Sequence, residues 1–458
     1  MTQQEVITQF KGRLRGTVIE PDHATYTEAR KVYNSMIDRK PRLIVQCAYV
    51  ADVIAAVNFA REQGIRAAVR GGGHNAGGLG ICDDGLVIDL GLLNSVEVDK
   101  EAKTVRVGGG AKWADVDRTT HLAGLAVPSG IISTTGVGGL ALGGGLGYLT
   151  RAYGLTIDNL LEAEMVLADG SVVTASKDSN PDLFWAIRGG GGNFGIVTSF
   201  LFRAHAVADV CAGPMLWELD QATPVLKWFQ EFIQTAPEQL NGFFAFMTVP
   251  PGPPFPEALH LKKMCAIVWC YNGPLEQANE LLNPLRAALP PALELFGPMP
   301  FPALQGMFDG LYPPGLQWYW KADFMNKLSD EAIALHVEHA HKLPTMHSSM
   351  HLYPVNGAAH RVSNSETAWS YRDAQFSQVI VGVDPDPANC AKITDWAREY
   401  YDALHPHGAG GAYVNFMMEE GQDRIQATYK GNYERLAQVK RRYDPDNFFR
   451  VNQNILPA

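Results

Sequence analysis

Ala67-Ala-Val-Arg70 runs straight into Gly71-Gly-Gly-His74-Asn75, four residues of strand character followed by three glycines and a histidine. Upstream, residues 42–47 read as a second strand, and residues 50–63 as an amphipathic helix stopped by Gly64. Together they make a β-α-β unit whose second strand ends in a glycine loop. A short helix is predicted over residues 28–36 and another buried strand over 86–90. Val96/Val98 and Val105/Val107 alternate on either side of a polar turn, a hairpin pattern. A second hairpin is predicted around Asp169-Gly170, a pair suited to a tight turn with positive φ.

Around this unit stands a chain of 458 residues, too long for one ordinary core, so two domains of roughly 200 residues are expected. From about Ala204 the glycine clusters thin out, and Trp217, Trp228, Phe243, Phe244, Phe246, Trp318 and Trp320 appear among strand-like runs such as 265–270 and 379–382. That part reads as an antiparallel sheet domain, and the chain then returns to the first domain from about Gly408. Thirty-eight Lys and Arg against 48 Asp and Glu leave a net charge of −10, which argues against a nucleic-acid or anionic-membrane partner. No apolar run reaches the roughly 18 residues of a membrane span. The N-terminus lacks the features of a secretory signal. Six scattered cysteines without a CxxC pair read as buried free thiols, so a cytoplasmic protein is expected.

Residues 190–195 fit the GxGxxG pattern, yet a dinucleotide fingerprint needs a strand before it and a helix after it. Here residues 181–188 read as a helix opening at Asn180-Pro181, and 196–200 as a strand, so the order is reversed and the Rossmann reading fails. Glycine clusters at 70–78, 136–147 and 189–195 remain. One alone is an ordinary tight turn. Three in one domain, with an exposed His74 at the end of the first, point to loops that bring backbone amides to a diphosphate, with the Thr134 and Thr135 hydroxyls as further donors.

The motifs Arg70-Gly-Gly-Gly-His74-Asn75, Gly136-Val-Gly-Gly139, Gly143-Gly-Gly-Leu-Gly147 and Arg151-Ala-Tyr-Gly-Leu-Thr-Ile-Asp158-Asn159 resemble the FAD-linked oxidases of the vanillyl-alcohol oxidase superfamily, the berberine bridge enzyme-like group above all. Asp182-Leu-Phe-Trp-Ala-Ile-Arg-Gly-Gly-Gly-Gly-Asn-Phe-Gly195 is similar to that group's adenine-side segment, and Tyr443-Asp-Pro-Asp-Asn447-Phe-Phe-Arg450 to its closing motif. The resemblance implies an α+β fold. Residues 1–203 and the returning 408–458 would form a two-subdomain FAD-binding domain of PCMH type, with an antiparallel-sheet substrate domain, 204–407, inserted. It implies FAD bonded covalently to His74, a link that raises the flavin's redox potential. The implied cofactor contacts are Arg70, Gly71, Gly72, Gly73, His74, Asn75, Gly78, Leu79, Thr134, Thr135, Gly138, Gly139, Gly144, Gly147, Asp158, Gly195, Val197, Asn415 and Asn452. Many members add a second bond from a cysteine four residues before the Gly-Val-Gly-Gly motif. Ile132 holds that place here, so a single link is expected.

The position before Gly136 gates oxygen in the family, and the valine-shaped but polar Thr135 implies an oxidase that returns electrons to O2 as H2O2. An oxygenase reaction assisted by the Thr135 hydroxyl is the alternative reading. Tyr413-Val-Asn415-Phe416 resembles the segment that crosses beside the flavin, where relatives often carry a tyrosine base in the final place; Phe416 has no ionisable group. Tyr413, Tyr353 and His351 are the candidate catalytic groups, His351 and Tyr353 sharing one face of a strand if alternation holds. Tyr371-Arg372-Asp373 is a further candidate cluster, or else an interface ion pair. Phe416 also leaves open a non-catalytic flavin- or ligand-binding protein. The aromatic-rich middle suits a flat small-molecule substrate and equally a stacked sugar. Metal binding has little support: His339/His341 and His405/His407 are spaced i, i+2, which on a helix places them on different faces, and all four are expected to be solvated.

Overall fold

The computed structural model describes residues 2–458. Three sheets organise it. The first has the order β1-β2-β4-β3, with β1 (Thr17–Ile19), β2 (Leu43–Gln46), β3 (Ala67–Arg70) and β4 (Leu86–Asp89); β2, β4 and β3 run parallel and β1 antiparallel. The crossover from β2 to β3 is the helix Val50–Glu62. Asp52 starts it by accepting the backbone N–H groups of Ala48, Tyr49, Arg15 and Gly16, and Gly64, at φ +60°, ends it.

The second sheet is antiparallel, in the order β5-β6-β9-β7-β8, with β5 (Val96–Asp99), β6 (Thr104–Gly108), β7 (Leu160–Val166), β8 (Val172–Ser176) and β9 (Ile196–Arg203). Both predicted hairpins, β5-β6 and β7-β8, lie here, and Gly170 adopts φ +83° in the second.

The third sheet holds eight antiparallel strands: β10 (Asp209–Glu218), β11 (Leu240–Thr248), β12 (Lys263–Tyr271), β13 (Leu293–Glu294), β14 (Gly297–Pro300), β15 (Gln317–Met325), β16 (Ser349–Pro354) and β17 (Phe376–Asp384). Their order is β13-β10-β12-β11-β16-β17-β15, with β14 also on β10. Alternation splits the sheet cleanly. Phe244, Phe246, Ile267, Trp269, Met350, Leu352 and Ile380 face one way and form a core with the helices Ala222–Thr235, Leu275–Ala288, Asp330–His341 and Cys390–Leu404. The other face looks toward the first two sheets.

The sequence after Gly408 packs back on the first part of the chain. Lys440, fully buried on the helix Tyr433–Tyr443, pairs with Asp444 at 2.6 Å and donates to the carbonyls of Asn193 and Phe449.

Three local readings are corrected. The helix expected over 28–36 is one turn, Tyr26–Ala29, because Tyr33 donates its N–H to Gly73 and Ser35 to Leu316, which draws the segment out across the chain. Asn180 precedes the helix Pro181–Ile187 as expected, but in a left-handed conformation with its amide on the Thr174 carbonyl, so it gives no side-chain cap. His339 is buried and stacked on Tyr400 at 4.6 Å, whereas His341 and His405 are exposed and His407 is half-buried. The six cysteines are free and all but Cys390 are buried.

Candidate active site

Between the open face of the third sheet and the first two sheets lies a cavity of about 360 Å³. One half of its wall is backbone. β3 delivers Arg70 and Gly71–Gly73, Gly109 follows β6, and the short helix Val137–Gly143 adds Gly138 and Gly139. The second glycine cluster is thus partly helical rather than a loop. It packs so close to the first that a Cβ at Gly72 would lie 2.5 Å from the Gly136 nitrogen, and one at Gly136 2.4 Å from the Gly72 nitrogen. Gly191, Gly192 and Asn193 complete this half; as expected, helix Pro181–Ile187 precedes them and β9 follows, the reverse of a Rossmann unit.

His74 ends the first cluster. It is half-buried rather than exposed, because Tyr33 stacks on its ring at 3.7 Å and 20°. Its Nε2 is buried without a hydrogen-bond partner, and burial, with the Lys112 charge adding to it, pulls the imidazole down to about 4, so the ring is neutral. Arg70 pairs with Asp89 at 2.6 Å. Asn452 donates to the Gly192 and Phe449 carbonyls, which leaves its buried Oδ1 unpartnered.

Seventeen of the anticipated residues meet on this cavity: Arg70, Gly71, Gly72, Gly73, His74, Asn75, Leu79, Thr135, Gly138, Gly139, Gly195, Val197, Asn415, Asn452, Tyr413, Tyr353 and His351. Gly78, Thr134, Gly144, Gly147 and Asp158 do not line it. Gly78 has φ +70° and a Cβ there would strike Ile37; Gly144 lies at φ +139° against Trp369 and Tyr413; Gly147 takes the Thr150 hydroxyl on its N–H. The Thr134 hydroxyl is buried without a partner behind the wall. Asp158 is held by Arg372 through two bonds of 2.6 and 2.7 Å, both side chains being almost fully buried. Arg372 therefore pairs across the fold with Asp158 and not with its neighbour Asp373, and Tyr371 donates to the Ala427 carbonyl away from the cavity.

Side chains build the other half. Ser349, His351 and Tyr353 alternate on β16, and register places His351 between Ala245 of β11 and Val379 of β17. Phe243, Val268, Val381, Trp318 and Trp320 extend the same face across five strands, and Phe308, Leu311 and Tyr312 enter from the loop before β15. Tyr353 and the Nδ1 of His351 are 2.7 Å apart. Burial pulls His351 down to about 4 and pushes the Tyr353 phenol well above its ordinary range, so the proton of this hydrogen bond belongs to tyrosine. Tyr413 differs: its oxygen accepts from the Gly145 N–H and the Asn415 amide, both at 2.8 Å, while burial pushes the phenol up to about 12. Phe416 packs against Tyr413, Tyr353 and Trp320.

Tyr33, Gly109, Asn193, Tyr312 and Gln453 were not singled out in the sequence. Only the alternation Trp318/Trp320 and Phe243/Ala245/Met247 within strand-like runs carried a signal for the apolar wall.

The residues present fit a flavin nucleotide. A Cβ at Gly139 or Gly192 would meet no protein atom, so the wall there is open backbone, and His74 and Asn452 each present an unsatisfied buried atom. Comparison with known proteins agrees. Residues 41–176 match the family described as FAD binding domain, and residues 412–456 the one described as berberine and berberine like. An uncharacterised FAD-linked oxidoreductase of Bacillus subtilis is 33% identical over 98% of each chain. The (R)-6-hydroxynicotine oxidase of Paenarthrobacter nicotinovorans is 29% identical over 97% of each. A variant of BBE-like 1 from Physcomitrella patens superposes with a TM-score of 0.88 at 26% identity, covering 98% of this chain and 99% of that one. With its glycine wall, its returning C-terminal segment and these relatives, the chain belongs to the berberine bridge enzyme-like family of FAD-linked oxidoreductases.

Proposed function

We propose that the protein is an FAD-dependent oxidase, its cofactor bonded once, through His74, that takes hydride from a C–H bond of a small organic substrate and returns the electrons to O2. Bound FAD supplies the hydride acceptor and the route to oxygen. The His74 side chain suits attachment because it is neutral and keeps an unpartnered nitrogen at the cavity wall. Ile132 also lines the cavity and, among the described residues, no cysteine does, which supports a single link. The division into 1–203, 204–407 and 408–458 accompanies this reading. So does a cytoplasmic location without nucleic-acid partners, supported by the free thiols and the charge of −10. No helix among the described residues is long and apolar enough to cross a membrane.

The observation that carries the mechanism is the Tyr353–His351 contact of 2.7 Å inside the cavity. Tyr353 takes the proton of a substrate hydroxyl while its own proton moves to the neutral Nδ1 of His351. Tyr413 is a positioning residue: with two donors already on its oxygen, it fixes the backbone at Gly145. The decisive experiment is anaerobic flavin reduction followed by stopped flow. Tyr353→Phe and His351→Gln should each slow reduction roughly 100- to 10,000-fold with the flavin retained, and Tyr413→Phe by far less. The reverse ranking would transfer the base to Tyr413. His74→Ala should release FAD into the supernatant on acid precipitation, whereas the unaltered protein gives a yellow pellet; a yellow pellet from the variant refutes the link.

A further inference from the structure

We infer that the substrate is an uncharged, flat ring system carrying few polar groups, one of them a hydroxyl that meets Tyr353. This deepens the oxidase reading and rests on it for the site's location. Among the described residues no Asp, Glu or Lys lines the cavity, and the one ionic side chain there, Arg70, stands in the glycine half and is already matched by Asp89 at 2.6 Å. His351 adds no charge, since burial keeps it neutral. An ammonium or carboxylate entering the sheet half would lose its water and meet no opposite charge, so binding it is unfavourable.

The same wall disfavours a sugar. Each sugar hydroxyl taken from water needs a partner. On the sheet half the polar side-chain groups are Ser349, Tyr312, His351, Tyr353 and the indole N–H groups of Trp318 and Trp320. His351 and Tyr353 already bond each other, and each indole offers one donor and no acceptor, short of what the many donor-acceptor hydroxyls of a sugar need. What the wall offers instead is ring surface. Phe243 lies 5.0 Å from Tyr353, Trp318 is edge-on to Trp320 at 5.8 Å, and Phe416 closes against both Tyr353 and Trp320. Opposed faces and edges of this kind match a planar aromatic guest.

Three probes with one ring system test this on the flavin-loaded protein: 2-naphthalenemethanol, 2-naphthylmethylamine as the cation and 2-naphthoate as the anion, with maltose as the sugar. Dissociation constants come from calorimetry and, separately, bleaching is followed anaerobically. The neutral alcohol should bind at least about tenfold more tightly than any of the other three. Val379→Asp places a carboxylate beside His351 and should reverse the order in favour of the amine; retained flavin absorbance shows that this variant is folded. Equal or weaker binding of the alcohol, or no reversal in the folded variant, overturns the substrate class. If the alcohol is preferred and never bleaches the flavin, the class stands and the oxidase reading falls. If the amine or the sugar bleaches it without any preference for the alcohol, the oxidase stands and the class falls.

Discussion

The two halves of the cavity are made of different material. The glycine half is backbone set against backbone, with Gly72 and Gly136 so close that neither tolerates a Cβ. The sheet half is side chains standing on five strands, where alternation aims every second residue at the cavity. A wall of the first kind recognises what is common to one cofactor and has almost no freedom to vary. A wall of the second kind changes its guest by single substitutions. The resemblance to the family is carried by motifs of the first half, and the proposed substrate contacts lie in the second.

Substitutions can break or sharpen this contrast. The largest effect is expected where the halves are joined. Arg372→Met strands the buried Asp158 carboxylate and should cost about 3–5 kcal/mol in urea unfolding, with the cavity disorganised on both sides. Gly72→Ala attacks the backbone half alone. Its Cβ meets only backbone, which cannot yield, so a loss of roughly 1–3 kcal/mol is expected, together with poor flavin incorporation measured by the ratio of visible to ultraviolet absorbance.

A second joint responds to pH. Asp117, on the helix Trp113–His121, accepts a bond from Gln305 on the helix Phe301–Gln305, and burial pushes its carboxyl up to about 8. The unfolded acid ionises near its ordinary value, so this group's stabilising contribution is complete below that value and is lost as pH rises through about 8. The decline, at most about 1.4 kcal/mol per pH unit, should vanish in Asp117→Asn, as chemical unfolding at pH 5, 7 and 9 would reveal. The smallest effect is expected on the sheet half. Phe243→Leu should cost less than about 1.5 kcal/mol of stability, retain full flavin and change only the dissociation constant for the aromatic probes.

What could be read in the sequence follows the same division. The β-α-β unit, both hairpins and the three glycine clusters were legible because they depend on local periodicity and on the conformational freedom of glycine. Contacts between distant segments were not. His74 reads as an exposed loop histidine until Tyr33, 41 positions earlier, is found stacked on it. Asp158 reads as a cofactor ligand, yet Arg372, 214 positions later, claims both its oxygens. The 28–36 segment has helical character that two hydrogen bonds to Gly73 and Leu316 override. Alternation placed His351 and Tyr353 on one face correctly, but only the register of β11, β16 and β17 sets that face over the cavity.

The buried Lys440 bears on how the holoprotein is made. It ties Asn193 to the carbonyl of Phe449, and Asn452 and Gln453 supply the last stretch of the cavity wall. On the ribosome the glycine loops emerge more than 250 residues before these closing residues. A nascent chain thus carries a cofactor cradle open on one side until residues 449–453 arrive to close it.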